Sequence, residues 1–295
     1  PVLRAQAARL GALITREMGK PLREAVGEAE AAARAIERDV DEVVAALAPE
    51  VREARGLRST IYRDPLGVAA CITPWNFPFR MPLQVVVPAR AAGNSVILKP
   101  SEMVPLVGQA FADAFNTVLP EVVLQVVHGA DDQGKALVRG DCDLIGFVGS
   151  REAGCDILSA AGSDLKRVVL ELGGKDPMIV LDDADIEKAA DFAATNSFRN
   201  CGQVCVSTER IYVHDAVAEE LEPAIARRAA DLVVGDGTTE GVTMGPMVNS
   251  QQKAHVLAQL EQARADGVSV SWLSLIHISE PTRPRLISYA VFCLK

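Results

Sequence analysis

Short apolar runs alternate with helical patterns from residue 66 onward, and this alternation constrains the fold more than any other feature of the sequence. The apolar runs lie at 68–72, 95–98, 122–127, 144–148 and 168–170, with helical patterns at 83–92, 106–119, 134–139 and 152–161 between them. Strands that are separated by helices indicate βαβ units and a parallel sheet. We therefore predict an α/β fold whose ligand binds at the carboxyl ends of the strands.

The regions on either side of this sheet have patterns of their own. A second cycle follows it, with a strand at 178–181, a helix from Ile186, a segment at 200–208, a strand at 210–213, and helices near 216–234 and 251–266. Before the sheet, apolar residues from Leu22 to Leu47 recur at spacings of three and four, which predicts one long helix. An earlier helix is predicted at 3–14 and a strand at 57–64. Because the helix at 3–14 starts abruptly, we expect the chain to have been cut at its N-terminus.

The last residues differ in character from those before them. From Leu273 the chain reads LSLIHISEPTRPRLISYAVFCLK, which continues neither a helical nor a strand period. This run looks like the translation of a sequencing adapter, and a true C-terminal strand is the alternative. We expect 273–295 to be a non-native tail, and we exclude it from reasoning about the fold.

Composition and charge disfavour several classes of protein. The net charge is −9 and there is no basic stripe, which argues against nucleic-acid binding. The apolar runs are too short to span a membrane, and no charged-then-apolar leader precedes them. The six cysteines show no CxxC spacing and the four histidines are scattered. We therefore expect neither a metal site nor a disulfide framework, and a cytoplasmic location.

One cysteine is a candidate nucleophile. The segment 200–210 reads NCGQVCVSTER and places Cys205 after Gly202 and Gln203. A cysteine on such a turn can expose its sulfur for chemistry. Two alternatives remain open from the residues alone: a buried, inert thiol, or a regulatory disulfide between Cys201 and Cys205.

Two other segments supply polar groups that could assist a nucleophile. Glu171 ends an apolar strand before Gly173 and Gly174, where partial loss of water suits a general base. A strand-end glutamate in solvent is the alternative. In the segment TPWNFP at 73–78, two prolines hold the side-chain amide of Asn76, and an oxyanion needs a fixed amide donor. An ordinary Asn-containing turn explains the same residues without a function.

Two further segments suit a nucleotide. The sequence KPSE at 99–102 closes one strand, and GSREAG at 149–154 follows another strand and opens a helix. A helix N-terminus after a glycine turn attracts phosphate. The sequence has neither the G-x-G-x-x-G fingerprint nor a P-loop, so each of these signals is weak alone.

Together, and in this order, the segments resemble the aldehyde dehydrogenase superfamily over residues 1 to about 272. The matching wording is PLGV at 65–68, PWNFP at 74–78, AGN at 92–94, KPSE at 99–102, GS at 149–150, ELGG at 171–174 and GQVC at 202–205. The resemblance implies a Rossmann-like NAD-binding domain at 1–173, with an oligomerisation hairpin at about 47–65. It also implies a partial α/β catalytic domain at 174–272.

The resemblance gives each candidate residue a role. Cys205 would attack an aldehyde carbonyl as a thiolate, and the resulting oxyanion would be held by the Asn76 side chain and the Cys205 backbone N–H. Hydride transfer would leave a thioester, which Glu171 would hydrolyse by activating water. Cofactor contacts would come from Ile72, Thr73, Trp75, Lys99, Glu102, Gly149, Ser150 and Leu172.

The cofactor that the resemblance implies is NAD rather than NADP. Glu102 would meet the adenosine ribose, where a carboxylate accepts from the hydroxyls and repels a 2′-phosphate. Two residues depart from the family's pattern. Asp131 stands where many relatives have a second glycine, and Val148 replaces a common threonine. Both bear on how the chain approaches the cofactor.

The family's later half supplies further cofactor and substrate contacts that this sequence lacks. We expect the whole protein to oxidise a small aldehyde, such as succinate semialdehyde, as a homodimer or homotetramer. The chain as it stands is expected to be inactive. Two readings from other classes remain: a nucleotide-binding fragment without catalysis, and a cysteine hydrolase built on Cys205. The hydrolase would need a positioned histidine base, which these motifs do not contain.

Overall fold

The computed structural model describes residues 2–120 and 122–267 of the protein. These described residues form two compact units, the first made of those up to Ile14 and those within 25–172, and the second of Thr15–Glu24 and those from Gly173 to 267. The sequence placed Thr15–Glu24 within the predicted domain at 1–173, and no pattern in these residues indicated that they belong with the second unit. The functions assigned to the domains at 1–173 and 174–272 stay predictions.

Helices open the chain. They are α1 (Val2–Ala5), α2 (Ala7–Met18) and α3 (Leu22–Leu47). The single helix expected at 3–14 is therefore interrupted at Gln6 and extends beyond its predicted end. The predicted helix from Leu22 to Leu47 is confirmed, and Ala29 and Ala33 of its apolar stripe are buried.

An antiparallel hairpin follows α3. Its strands are β1 (Glu50–Ala54) and β2 (Leu57–Ile61). Arg55 and Gly56 join them with φ values of 51° and 77°, a conformation that matches the twist of a two-residue hairpin. The residue pattern predicted only one strand here, at 57–64, because the charged side chains of the first strand have low strand propensity. The family resemblance implied a hairpin at about 47–65, and the observed pair of strands lies within that range.

Five parallel strands form the sheet of the first unit, which confirms the predicted α/β fold. The strands are β3 (Val68–Thr73), β4 (Ser95–Pro100), β5 (Leu124–Val126), β6 (Leu144–Gly149) and β7 (Arg167–Leu172). The helices are α4 (Arg80–Ala91), α5 (Pro105–Asn116), α6 (Asp131–Arg139) and α7 (Arg151–Gly162). The strand order is β5-β4-β3-β6-β7, so the direction of winding reverses between β3 and β6. Ligands of such sheets bind at the carboxyl ends of the strands beside this reversal.

The central strands are apolar because both of their faces are covered. In β3, Ala69 and Ala70 are fully buried, and in β6 Ile145 is fully buried as well. Helix α7 contributes Ile157 and Ala161 to the same core cluster as Ala70 and Ile145. Burial on both faces is the general property of parallel strands, and it gives the sheet edge a rigid base.

A parallel pair of strands forms the sheet of the second unit. The elements described here are β8 (Asp176–Val180), α8 (Ile186–Phe198), β9 (Thr208–Val213), α9 (Asp215–Ala230) and α10 (Ser250–Ala265). The core between the strands and helices includes Val180, Ala193, Phe198, Ile211 and Leu221. The order of elements that the sequence predicted for this second cycle is confirmed.

Three expectations from the sequence concern the C-terminal tail, membrane-spanning helices and metal-binding groups. The predicted non-native tail at 273–295 lies outside the described residues. In residues 2–120 and 122–267, no helix has the length and apolar character that a membrane crossing requires. The same residues hold no group of three or more His, Cys, Asp or Glu side chains arranged to bind a metal ion.

Candidate functional site

A cavity opens in the first unit where the winding of the sheet reverses. It lies at the carboxyl ends of β3, β4 and β6, beside α6 and α7, and its volume is about 1140 Å³. Three of the eight predicted cofactor residues line it, namely Ile72, Lys99 and Ser150. Of the other five, Thr73, Trp75, Glu102 and Gly149 lie on the same strands or on the connections that follow them, and Leu172 lies at the end of the neighbouring strand β7. The cavity therefore occupies the place where the topology predicts a ligand.

Charged side chains of both signs line the cavity from the two helices beside it. Lys135 and Arg139 line it from α6, and Glu152 and Asp156 line it from α7. Residues four apart share one face of a helix. None of the four was predicted from the sequence, although their spacing on two helices beside the predicted ligand edge is a signal that could have identified them.

Lys99 is a buried charge at the end of β4. Its side chain is 6% exposed, and Nζ lies 3.7 Å from Oε2 of Glu102. The hydroxyl of Ser101 donates to the same carboxylate oxygen at 3.3 Å. Burying an ammonium is costly unless it is paired. The pairing gives this edge of the sheet both a cationic donor and a carboxylate acceptor, which fit the hydroxyls of a nucleotide ribose.

Gly149 and Ser150 join β6 to α7. The hydroxyl of Ser150 accepts a hydrogen bond from the backbone N–H of Ala153 at 3.2 Å and so caps the helix. A Cβ at Gly149 would lie 2.4 Å from Cζ of Phe147, whose ring also lines the cavity. The glycine thus allows the ring to fill that space, and the first turn of α7 lies beside the cavity.

The end of β3 brings further predicted residues to this edge. Ile72 lines the cavity, whereas Thr73 is 3% exposed, and its hydroxyl oxygen has no hydrogen-bond partner among the described residues. Trp75 is half-buried in the connection that follows. Because buried hydroxyls are normally hydrogen-bonded, the unpaired group on Thr73 fits a polar ligand at this edge.

Asn76 is half-buried in the same connection, and its side-chain carbonyl accepts from the backbone N–H of Phe77 at 3.1 Å. The start of α4 is held by Glu28 of α3, whose Oε1 accepts from the N–H groups of Phe79 and Arg80 at 3.1 Å each. Helix α4 has no cap from its own N-cap side chain. The prolines alone therefore do not explain how the connection is held. Glu28 was not predicted from the sequence, because it lies far along the chain from the start of α4.

The surroundings of Glu171 differ from the expectation that it loses water. β7 is the edge strand of the sheet, and its side chains alternate between two environments. Leu170 and Leu172 pack against the core, whereas Val169 and Glu171 are exposed. The exposure matches the alternative of a strand-end glutamate in solvent. The sequence left both environments open, because which face of an edge strand is covered is a property of the tertiary structure. Leu172 packs closely against α7, and a Cβ on Gly154 would lie 2.8 Å from its Cδ2.

Cys205 lies in the second unit, on the loop between α8 and β9. The loop begins with three residues in the left-handed conformation, Asn200, Cys201 and Gly202, with φ values of 51°, 60° and 71°. Only glycine adopts this conformation without cost. Ser207 then closes a turn by donating its N–H to the carbonyl of Val204 at 3.2 Å. Cys205 lies within that turn, half-buried and with a free thiol.

The two alternatives for Cys205 can be compared with this geometry. The description of a buried thiol applies to Cys201 instead, which is 5% exposed and donates its S–H to the carbonyl of Gly245 at 2.9 Å. The structure has no disulfide between Cys201 and Cys205, so that alternative is not formed in it.

The two departures from the family's pattern fall in different surroundings. Asp131 is the first residue of α6 and lines the cavity, where it adds a carboxylate. Val148 is 5% exposed within β6 and packs in the interior. Asp131 therefore adds negative charge where a ligand would bind, whereas Val148 contributes to the packing of the sheet.

Comparison with known proteins places these features in one family. The model of the aldehyde dehydrogenase family matches residues 1–277. The chain is 38% identical over 269 residues to a glutarate-semialdehyde dehydrogenase of Pseudomonas putida, a match that covers 88% of the chain and 55% of the relative. It is also 38% identical over 268 residues to a probable succinate-semialdehyde dehydrogenase [NADP(+)] of Sinorhizobium fredii, covering 88% of the chain and 54% of the relative.

A solved structure is similar over the same extent. The NAD-dependent aldehyde dehydrogenase from Sinorhizobium meliloti superposes with a TM-score of 0.90 at 30% identity, covering 98% of this chain and 57% of that one. The chain spans about half the length of the curated relatives it matches. The family expected from the motifs and the Rossmann-like fold are both confirmed, and the chain belongs to the aldehyde dehydrogenase family.

Proposed function

We propose that the whole protein oxidises an aldehyde to a carboxylic acid through a covalent intermediate on Cys205, with NAD as the hydride acceptor. The observation that carries this proposal is the free, half-buried thiol of Cys205 on a sharply turned loop, in a chain of the aldehyde dehydrogenase family. Covalent capture converts an aldehyde into a species from which hydride can leave.

The protein's own residues divide the reaction between them. Cys205 attacks the carbonyl carbon as a thiolate and forms a thiohemiacetal. The amide of Asn76, oriented by the bond from Phe77, and the backbone N–H of Cys205 donate to its oxyanion. The bound nicotinamide supplies a hydride acceptor. Glu171 takes a proton from the water that attacks the resulting thioester, and its exposure in the first unit gives water access to it.

The cavity of the first unit is assigned to NAD. Lys99 and Glu102 fit the ribose hydroxyls as donor and acceptor, and Gly149 and Ser150 precede a helix N-terminus that suits a diphosphate. Further contacts are assigned to Ile72, Thr73, Trp75 and Leu172. Glu102 and Asp131 both disfavour the extra phosphate of NADP, although relatives of both preferences exist.

The role of Cys205 is tested by its replacement with alanine. We expect Cys205→Ala in the whole protein to lose aldehyde-dependent formation of NADH by at least about 1000-fold, because no other thiol replaces the covalent step. NAD binding, followed by the change in intrinsic tryptophan fluorescence, is expected to be unchanged. A variant that still oxidises aldehyde would contradict the proposed mechanism.

The cofactor preference is tested at Glu102. We expect the whole protein to have a lower KM for NAD than for NADP, and Glu102→Ser to narrow the difference by about tenfold through loss of charge repulsion. Glu187→Ser, on an exposed face of the second unit, serves as the control. A wild-type preference for NADP would overturn the assignment of NAD.

Two similar relatives are named as semialdehyde dehydrogenases, so a small semialdehyde is the substrate that we propose.

The hairpin β1–β2 exposes Val51 and Leu57, which suits contact between subunits of a homodimer or homotetramer. Light scattering of the wild type and of Leu57→Arg tests this contact between subunits. We expect a smaller mass for the variant, and an equal mass for both would contradict the contact.

A further inference from the structure

We propose that Gln203 is a positioning residue for Cys205, and that it acts by tying the cysteine loop to a support made of residues 245–248 and the turn Gly19–Pro21. The inference rests on the nucleophile role proposed above for Cys205. All of the residues involved belong to the second unit.

The side chain of Gln203 connects two parts of the unit. Its Nε2 donates to the carbonyl of Asn200 at 2.8 Å, inside the left-handed turn. Its Oε1 accepts from the backbone N–H of Val248 at 3.1 Å. Both ends of the amide are therefore engaged, and the residue lies two positions before Cys205.

A second bond ties the same loop to the same support. The thiol of Cys201 donates to the carbonyl of Gly245 at 2.9 Å. Cys201 and Asn200 both have left-handed backbone conformations, which are unfavourable for residues with a Cβ unless the surroundings hold them. The two bonds supply that restraint on either side of Gly202.

The support is itself fixed by close backbone packing. A Cβ on Gly245 would lie 2.0 Å from the carbonyl oxygen of Gly19, and a Cβ on Gly237 would lie 2.5 Å from the same oxygen. The N–H of Leu22 donates to the carbonyl of Gly237 at 2.8 Å. The motif Gly19-Lys20-Pro21, which in sequence only separates two helices, thus packs directly against the segment that holds the cysteine loop.

The test measures the reactivity of Cys205 without cofactor or aldehyde. Gln203→Met keeps the length of the side chain but removes its donor and its acceptor. The 295-residue chain is treated with iodoacetamide at neutral pH, and the alkylation of each cysteine is followed by peptide mass spectrometry. We expect the rate at Cys205 to rise about tenfold, because the loss of two hydrogen bonds frees the turn.

Two further variants make the result specific. Gln251→Met, on the exposed side of α10, is expected to leave the rate at Cys205 unchanged. Gln203→Glu keeps the acceptor for the N–H of Val248 but loses the donor to Asn200, so it is expected to give an intermediate rate. Cys71 is buried in the first unit and is expected to stay unmodified in all variants.

Two outcomes would overturn the inference. One is an unchanged rate at Cys205 in Gln203→Met. The other is an equal rise at Cys71 and Cys205, which would mean that Gln203 only stabilises the fold. Failure of the proposed function shows differently, as aldehyde oxidation that survives in Cys205→Ala. The two failures are therefore distinguishable.

Discussion

Charged side chains that are removed from water reveal which parts of this protein have to be held. Glu28 is 6% exposed and serves as the acceptor for the first N–H groups of α4. Lys99 is equally enclosed and faces Glu102. In both cases a charge is retained because it anchors a neighbouring backbone or side chain. Glu24 differs from both, because burial is the largest effect on its carboxyl and raises the pKa.

Glu24 gives a prediction about pH. Burial raises its pKa above the 4.5 of an exposed glutamate, and the charges of Lys20 and Arg199 offset only part of this. The folded state therefore holds the proton more tightly than the unfolded state, so the wild type loses stability as the pH rises above 4.5. We expect Glu24→Gln to be more stable than the wild type at neutral pH.

Urea unfolding at several pH values measures this difference. The advantage of Glu24→Gln is expected to shrink as the pH falls and to vanish below 4.5, where both states of the wild type are protonated. Glu37→Gln, at an exposed position on the same helix, should show no such convergence. A difference that is the same at all pH values would rule out the burial of Glu24 as its cause.

At the scale of elements, glycine decides how closely helices approach. Gly11 of α2 faces α3, and a Cβ there would lie 2.5 Å from Cγ2 and 2.7 Å from the backbone nitrogen of Val26. The backbone atom cannot move without shifting α3. Gly27 lies within α3, and a Cβ built on it would have no neighbouring atom within 4 Å. Close packing against α3 therefore requires glycine at position 11, whereas position 27 has room for a side chain.

This contrast predicts opposite signs for the same substitution. Gly11→Ala is expected to destabilise the chain by about 1–3 kcal/mol through overpacking. Gly27→Ala is expected to stabilise it by about 0.5–1 kcal/mol, because alanine favours a helix more than glycine does. Thermal or urea unfolding of both variants provides the comparison, and changes of the same sign would contradict the helix contact.

For the molecule as a whole, the cysteines report on burial in both units. Cys71, Cys142 and Cys201 are buried, Cys205 is half-buried, and Cys155 is exposed. Burial raises the pKa of Cys71 to about 12, so its reactive thiolate is scarce even in mildly alkaline solution. The distribution separates thiols that pack from thiols that can react.

This distribution predicts the order of modification in the native protein. Cys155 and Cys205 are expected to react first with a disulfide reagent, and the three buried thiols only after denaturant is added. Peptide mapping after brief treatment identifies the modified positions. Rapid modification of Cys71 in the native chain would show that the central strand β3 is not packed as described.

The sequence predicted the sheet well because its strands are buried runs with little ambiguity, such as Val68–Thr73 and Leu144–Gly149. The charged residues of β1 did not indicate a strand, and the hairpin there was expected only from the family resemblance. The exposure of Glu171 was one of two alternatives, because the covered face of an edge strand cannot be identified from alternation. The motifs located the candidate residues individually. They did not reveal Glu28 or the support behind Gln203, since those contacts join segments that are remote along the chain.

The contact between Gly19 and Gly245 has a consequence for protein engineering. A library built to broaden the range of aldehydes would naturally vary the residues around Cys205 and treat the helical N-terminal region as a neutral attachment site. The backbone of Gly19 lies so close to Gly237 and Gly245 that neither position has room for a side chain. We therefore expect a change in the path of Gly19–Pro21 to shift the segment that holds the cysteine loop. Linkers and tags placed beside residues 15–24 therefore need the same scrutiny as substitutions in the loop itself.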